Sequence, residues 1–309
     1  MNPAIVVLGS LNMDFVVTVQ HLPAPGETVL GRDFQMIPGG KGANQACAAG
    51  KLARANPVRM AGRVGYDLFA DHLKASLAAA SVDVSSVIAT RTQPTGVALI
   101  WVDQAGQNSI VVASGANHAF LPADVEGLRS TFDAAGFVLF QLETPLPTVA
   151  AAMQLARRAG AKTILDPAPA QELDPALLAQ VDILTPNETE ACILLGRKAS
   201  RLHAADAPEL ARAVLGLGAA SVVLKLGDQG SFYSDGTTEI LSPAFPVQPK
   251  DTTAAGDTFN AALAVALSEG QTMDGALRFA NAAAAISVTR MGAQASVPSR
   301  AEVDALLVS

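Results

Sequence analysis

Ala4-Ile5-Val6-Val7-Leu8-Gly9-Ser10-Leu11-Asn12-Met13-Asp14 opens on an apolar, mostly branched run and then turns to glycine, serine and short polar side chains. The run reads as a buried strand, and Asn12 and Asp14 interrupt it before it reaches the length of a secretion signal's apolar core. Similar short runs at residues 137–140, 163–165 and 222–224 alternate with alanine-rich segments at helical spacing, which predicts an α/β chain built on a parallel sheet.

Two stretches depart from that rhythm. Around residues 14–37 and 96–112 apolar and polar residues alternate between Gly and Pro turns, so these segments are expected to be antiparallel strands outside the main sheet. A small β-sheet lid over one end of a single 1–309 domain is the economical arrangement, and its apolar face is a candidate dimer contact. No internal repeat or low-complexity tract divides the chain.

Composition narrows the partners. With 309 residues, 50% hydrophobic and 16% charged, the chain can bury a substantial core. A net charge of -7, with 21 Lys and Arg in no dense run, argues against nucleic acid and anionic membrane. No stretch has the length and apolarity to span a bilayer, about 20 residues. The two cysteines, Cys47 and Cys192, sit in helical patterns and fit a reducing, cytoplasmic setting. His21, His72, His118 and His203 lack metal-ligand spacing and are expected at the surface.

The most informative chemistry lies in Asp251-Thr252-Thr253-Ala254-Ala255-Gly256-Asp257-Thr258-Phe259-Asn260, a small-residue turn running into the apolar segment 261–267. Small residues admit a ligand close to the backbone, and the free N–H groups of a helix start favour a phosphate. Asp257 in that first turn can simply complement the helix dipole. Beside an anion-binding turn it can also take a proton from an attacking hydroxyl, and the flanking glycine and threonines favour this second reading.

A second cluster, Pro38-Gly39-Gly40-Lys41-Gly42-Ala43-Asn44-Gln45-Ala46, puts glycines before a helix, with Lys41 and Asn44 as polar contacts. It lacks the spacing of a Walker P-loop, and Gly216-Leu217-Gly218 precedes a strand without a third glycine, so neither is a nucleotide fingerprint by itself. Thr185-Pro186-Asn187-Glu188-Thr189-Glu190 follows a strand-like segment. Its polar groups fit helix capping, or an amide and a carboxylate that hold a hydrated magnesium ion on nucleotide. Asn12 and Asp14 are ordinary turn formers or receptors of sugar hydroxyls.

Residues 39–44 and 251–257 resemble the two signatures of the ribokinase (PfkB) family of carbohydrate kinases. Gly9 to Asp14, Gln141-Leu142-Glu143, Asp166-Pro167-Ala168-Pro169, residues 185–190 and Gly292-Ala293-Gln294 extend the resemblance in order over nearly the whole chain. It implies a Rossmann-like sheet flanked by helices, a β lid shared in a homodimer, and ATP-dependent phosphorylation of a pentose, ribose at its 5-hydroxyl. Deoxyribose, another pentose or a nucleoside is the alternative substrate, and a catalytically silent sugar- or nucleotide-binding regulator the alternative class. Carried onto matching positions, Asn12, Asp14, Gly40, Lys41, Asn44 and Glu143 contact the sugar, Asp257 deprotonates it, and Ala254, Ala255 and Gly256 form the anion hole. Asn187 and Glu190 organise Mg-ATP, Gly227 and Gly230 line the nucleotide, and Asn281, where the family usually has histidine, lies near adenine.

The resemblance also implies a potassium ion beside the anion hole, at Asp251, Thr253, Ser287, Arg290, Gly292 and Ser296, several through backbone carbonyls. Two residues depart from the pattern. Lys225 stands where threonine is common and is expected to add a charge-assisted contact to ATP phosphate. Lys250 stands where an apolar residue is usual and is expected to weaken the potassium requirement.

Overall fold

The computed structural model describes residues 2–198 and 203–308. Thirteen strands occur among them: β1 (Ala4–Leu8), β2 (Asn12–Thr18), β3 (Arg32–Gly39), β4 (Val58–Gly65), β5 (Val82–Thr90), β6 (Gly96–Val102), β7 (Asn108–Ala113), β8 (Ala135–Phe140), β9 (Lys162–Leu165), β10 (Ile183–Leu184), β11 (Val222–Lys225), β12 (Ser231–Ser234) and β13 (Glu239–Ser242). The α-helices are α1 (Lys41–Leu52), α2 (Leu68–Ala79), α3 (Pro122–Gly127), α4 (Leu146–Arg158), α5 (Pro175–Leu178), α6 (Glu188–Leu194), α7 (Ala207–Leu215), α8 (Ala255–Ser268), α9 (Met273–Ser287) and α10 (Arg300–Val308).

Nine strands form the main sheet in the order β13-β12-β11-β10-β9-β8-β1-β4-β5. All neighbours from β11 to β5 are parallel, while β12 and β13 add antiparallel at one edge, so the sheet is mixed rather than purely parallel. Its core follows from the period-2 alternation of strand side chains. Ile5 and Val7 of β1 pack with α1, α2, α8 and α9, whereas Val6 and Leu8 pack on the opposite face with α4 and α7. Alanines make α8 and α9 narrow enough to lie close against the sheet and each other, and α8 is buried from Asp257 to Ala266.

Strands β3-β2-β6-β7 form a second, four-stranded sheet. The expected strands are there, with one difference: β2 and β6 pair parallel, because the long excursion through β4 and β5 returns the chain in the same direction. Strand order in the main sheet reverses at β1, which lies between β8 and β4. At such a switch point the connections leave to opposite sides and open a crevice at the strands' carboxyl ends. The carboxyl ends of β1, β8, β9, β10 and β11 deliver Ser10, Glu143, Asp166, Asn187 and Lys225 to one edge.

Candidate active site

Helix α8 begins at Ala254, an N-cap held left-handed at φ 58° without a side-chain cap. The N–H groups of Gly256 and Asp257 precede the first intrahelical bond, from Thr258 N to the Ala254 carbonyl. Ala255 N donates back to Thr252 O at 3.2 Å, so of the three expected anion-hole residues it alone has its N–H turned into the loop. A helix start with its own dipole and no capping side chain is suited to an anion.

Asp257 is buried at that opening. Asn44 Nδ2 donates to its Oδ2 at 3.0 Å and Gln45 Nε2 to its Oδ1 at 3.1 Å. Burial pushes its carboxyl up to about 6, with Asp166 adding to the rise and Lys41, Asn44 and Gln45 opposing it. A carboxyl poised there is ionised at neutral pH and basic enough to accept a proton. Burial works against the charge of Lys41, but Asp257, Asp166, Glu143 and Glu190 more than offset it and hold the ammonium above the usual lysine range.

A cavity of about 410 Å³ meets this helix start and is lined by Lys41, Asp166, Asn187, Glu190, Lys225, Gly227, Ala254, Gly256 and Asp257, among others. A second, of about 360 Å³, shares Lys225, Gly227 and Gly256 with it and continues past Gly230 into an apolar slot formed by Phe245, Val247, Phe259, Ala284 and Val288. A charged chamber leading into an apolar slot suits a nucleotide, phosphates first and base beyond. Asn281 lines the slot, but its Nδ2 already donates to Ser242 O and Oγ at 3.0 and 3.1 Å, so the amide holds the slot's wall.

A separate cavity of about 280 Å³ is lined by Asn12, Val112, Asn117, His118, Glu143 and Gln171, among others, so of the expected sugar contacts Asn12 and Glu143 line it, whereas Lys41 lines the charged chamber. Glycines let β2 and the turn before α1 approach closely: a Cβ at Gly39 would lie 2.1 Å from the Asp14 carboxylate, and one at Gly40, at φ 88°, would lie 2.7 Å from Asn12 N. Glu143 Oε2 accepts from Ser10 Oγ at 2.5 Å and from Lys41 N at 3.1 Å. Burial and the neighbouring Glu143 raise the Asp14 carboxyl to about 7.

Asn187 and Glu190 form a reciprocal capping box at the start of α6, Glu190 N to Asn187 Oδ1 at 2.8 Å and Asn187 N to Glu190 Oε2 at 2.7 Å. They also line the charged chamber, so the capping reading and the nucleotide reading fall on the same pair. Lys225 Nζ bonds Asp166 Oδ1 at 2.9 Å and lies 3.9 Å from Glu190.

The expected potassium residues gather where the loop before α8 meets the end of α9. Asp251 Oδ1 accepts from Thr253 N at 2.9 Å and Oδ2 from Gly292 N at 2.8 Å, stapling the two loops. Ser287 and Ser296 donate their hydroxyls to Ala284 O and Ala293 O, and the Arg290 guanidinium pairs with Glu302. The Ser287, Ser296 and Arg290 side chains are thereby engaged elsewhere, which leaves backbone carbonyls as the donor set a monovalent cation would use. Lys250 is exposed.

Four residues to which sequence reasoning gave no role belong to the site. Gln45 bonds Asp257, Asp166 and Gln141, while Asp166 pairs with Lys225. Asn117 accepts from Leu11 N at 2.9 Å and donates to Asn12 Oδ1 at 2.7 Å, which fixes Asn12. Gln45, Gln141 and Asp166 stood inside the quoted segments, but their roles depend on contacts 59 to 212 residues away in sequence.

Fold and site together define a phosphotransferase for a small hydroxylated molecule. A family model described as pfkB family carbohydrate kinase matches residues 2–300. The chain is similar to the ribokinase of Bacillus subtilis strain 168, 43% identical over 304 residues covering 98% of this chain and 99% of that one. It is also similar to the ribokinase of Haemophilus influenzae, 41% identical over 302 residues, 98% and 97% of the two chains. The structure of Arabidopsis thaliana ribokinase complexed with ribose and ATP superposes with a TM-score of 0.90 at 36% identity, covering 99% of both chains. The chain belongs to the PfkB family of carbohydrate kinases.

Proposed function

We propose that the protein transfers the γ-phosphoryl group of ATP to the 5-hydroxyl of ribose, giving ribose 5-phosphate and ADP. The observation that carries this reading is the buried Asp257 carboxyl at the start of α8, a helix start without a side-chain cap, where Asn44 and Gln45 hold the carboxylate and Lys41 lies near enough to stabilise its charge. The similarity to ribokinases over nearly the full chain supports ribose as the sugar.

In this reading ribose sits between Asn12, Asp14, Gly40, Lys41, Asn44 and Glu143, and ATP lies along Lys225, Gly227 and Gly230 with its base toward Asn281. Asp257 takes the proton of the 5-hydroxyl as that oxygen bonds the γ-phosphorus and the bond to the ADP oxygen breaks. The N–H groups at the start of α8, with Lys41, stabilise charge on the transferring group. Lys225 contributes a positive charge on the phosphate path that Asp166 holds in place.

The oxygen donors at Asn187 and Glu190 suit magnesium on the nucleotide phosphates, which these two residues would help to hold and whose charge would offset that of the phosphates. The loops joined by Asp251 suit a potassium ion, which backbone carbonyls there would hold and whose charge would support the anion hole. The second sheet is the lid, and its exposed apolar rows support a homodimer. Cys47 and Cys192, both buried and neither in a disulfide, fit a cytoplasmic setting, and among the described residues no helix is long and apolar enough to cross a membrane.

The test is ADP release with Mg-ATP and potassium, comparing ribose, deoxyribose, other pentoses and nucleosides, with Asp257→Asn as control. Ribose-dependent turnover that the substitution abolishes is the expected result. Preference for another acceptor overturns the sugar assignment, and binding without turnover overturns the kinase reading.

A further inference from the structure

Gln45 is wholly buried one residue beyond Asn44 on α1, and its side-chain amide reaches three groups of the site. Nε2 donates to Asp257 Oδ1 and to Asp166 Oδ2, both at 3.1 Å, while Oε1 accepts from Gln141 Nε2 at 2.7 Å. An amide nitrogen carries two hydrogens, so one group serves both carboxylates at once. Turning the amide over would set its carbonyl against two carboxylates and its NH₂ against the Gln141 donor. Gln141 is itself confined at the end of β8, where a Cβ at Gly9 would lie 1.9 Å from its Oε1. Beyond Asp166 stands Lys225 at 2.9 Å, so a continuous hydrogen-bonded path joins the phosphate side of the site to Asp257.

We propose that Gln45 is a positioning residue for phosphoryl transfer: its amide holds the Asp257 and Asp166 carboxylates side by side and keeps Asp257 ionised and aimed at the acceptor hydroxyl. This rests on the assignment of Asp257 as the base. Around Asp257 stand Lys41 and Asn44 on α1 and Asp166 after β9, with Glu143, Glu190 and Lys225 further along the same cluster. Lys41 and Asn44 stabilise the ionised form as Gln45 does, but neither stands between the two carboxylates as a shared donor. Without the shared NH₂, two carboxylates face each other in a buried site, and the repulsion is relieved when one takes a proton.

The experiment compares Gln45→Met, close in length but without a donor, with wild type and with Gln141→Met, which removes the group that fixes the amide. Carboxyl-carbon NMR titration of the substrate-free protein, with Asp257 assigned by its loss in Asp257→Asn, reads the base directly. Gln45→Met is expected to raise the Asp257 midpoint by about one pH unit, the scale of a lost hydrogen bond to a buried charge. The acid limb of kcat moves up with it. Through that shift kcat falls about twofold at pH 7 and about tenfold at pH 5, while KM for ribose changes less than about threefold, as for an interaction used mainly in the transition state. Gln141→Met moves both limbs the same way by less, and decides the matter if Gln45→Met does not fold. An unchanged Asp257 midpoint, or a fall in kcat equal at every pH, overturns the proposal. The titration needs no turnover, so failure of ribose as substrate is read separately from failure of Gln45 as positioner.

Discussion

Lys225 Nζ lies 2.9 Å from Asp166 Oδ1, and the two side chains are only 12% and 3% exposed. Burial alone would discharge the lysine, but Asp166 and Glu190 hold its ammonium above the usual range. Lys225 therefore acts with Asp166 as a unit, which the one-residue departure from the family pattern did not disclose.

Removing one member of a buried ion pair leaves the other charge uncompensated, at a cost of about 3–5 kcal/mol, whereas removing both is far milder. Lys225→Thr is accordingly expected to lower stability by about 3 kcal/mol and to raise KM for ATP. The double variant Lys225→Thr/Asp166→Asn should recover most of the stability, but not the ATP affinity if Lys225 touches phosphate. Denaturant titration and ATP saturation curves on wild type, Lys225→Thr, Asp166→Asn and the double variant check both halves. Additive stability losses would show that the pair does not act as a unit.

Asp257→Asn should separate function from stability. The folded protein favours the neutral form of Asp257, whose carboxyl rises from 3.8 to about 6, so keeping it ionised weakens the fold as pH climbs through that window. At about 1.36 kcal/mol per pKa unit, the neutral amide gains at most about 3 kcal/mol above pH 6. Turnover should fall by three orders of magnitude or so while the melting temperature at pH 8 rises. A melting temperature that drops would mean the carboxylate is a net structural support.

The sugar side should titrate separately. Asp14, raised to about 7 by burial and by Glu143, offers both oxygens as charged acceptors to sugar hydroxyls only when ionised. KM for ribose is expected to increase as pH falls from 8 to 6, ahead of the fall in kcat governed by Asp257, and Asp14→Asn should flatten the KM profile. Profiles of kcat and KM between pH 5 and 9 decide it.

Much of this arrangement was legible in the sequence, because strands such as residues 5–8 and turns such as residues 251–257 carry local signals, branched runs or clustered small residues. Those signals located the two ends of the site and the separate second sheet. The sequence could not disclose that β2 and β6 run parallel, since strand direction depends on where the intervening chain goes. Gln45 and Asn117 were equally hidden: a buried amide has no periodicity, and its meaning lies in partners that only the fold brings near. Asn187 and Glu190 show the opposite limit, where the capping pattern was readable but its place beside Lys225 was not.

The second sheet exposes apolar residues on both faces. Phe15, Met36, Leu99 and Val111 share one row, and Asp14, Ala98 and Val112 the adjacent row on the other face, continued by Ile110. Phe34 is 62% exposed and Ile110 53%. Exposed apolar surface of this kind marks an interaction site. Leu99→Asp and Ile110→Asp, one on each face, should have unequal effects in sedimentation velocity, with one shifting a dimer to monomer and identifying its face. Monomeric wild-type protein at micromolar concentration would refute the lid-mediated dimer.

Asp67 ties that second sheet to the body of the molecule. Its Oδ1 caps α2 through Ala70 N at 3.0 Å and accepts from Thr95 Oγ1 at 2.7 Å, while Oδ2 accepts from Thr95 N at 2.8 Å. Thr95 immediately precedes β6, the strand that carries Ala98 beside Asp14, and its hydroxyl also accepts from Gly65 N at 2.9 Å. One carboxylate therefore sets where β6 leaves the main body. Asp67→Ala removes a helix cap together with both Thr95 bonds and should cost about 2 kcal/mol of stability. Because β6 then leaves Thr95 less firmly held, KM for ribose should rise several-fold while the acid limb of kcat stays in place, since nothing around Asp257 changes. Asp67→Asn, which keeps an acceptor for Ala70 N and Thr95, should recover most of the stability and part of the affinity. A variant that loses stability but binds ribose as wild type does would confine Asp67 to capping α2.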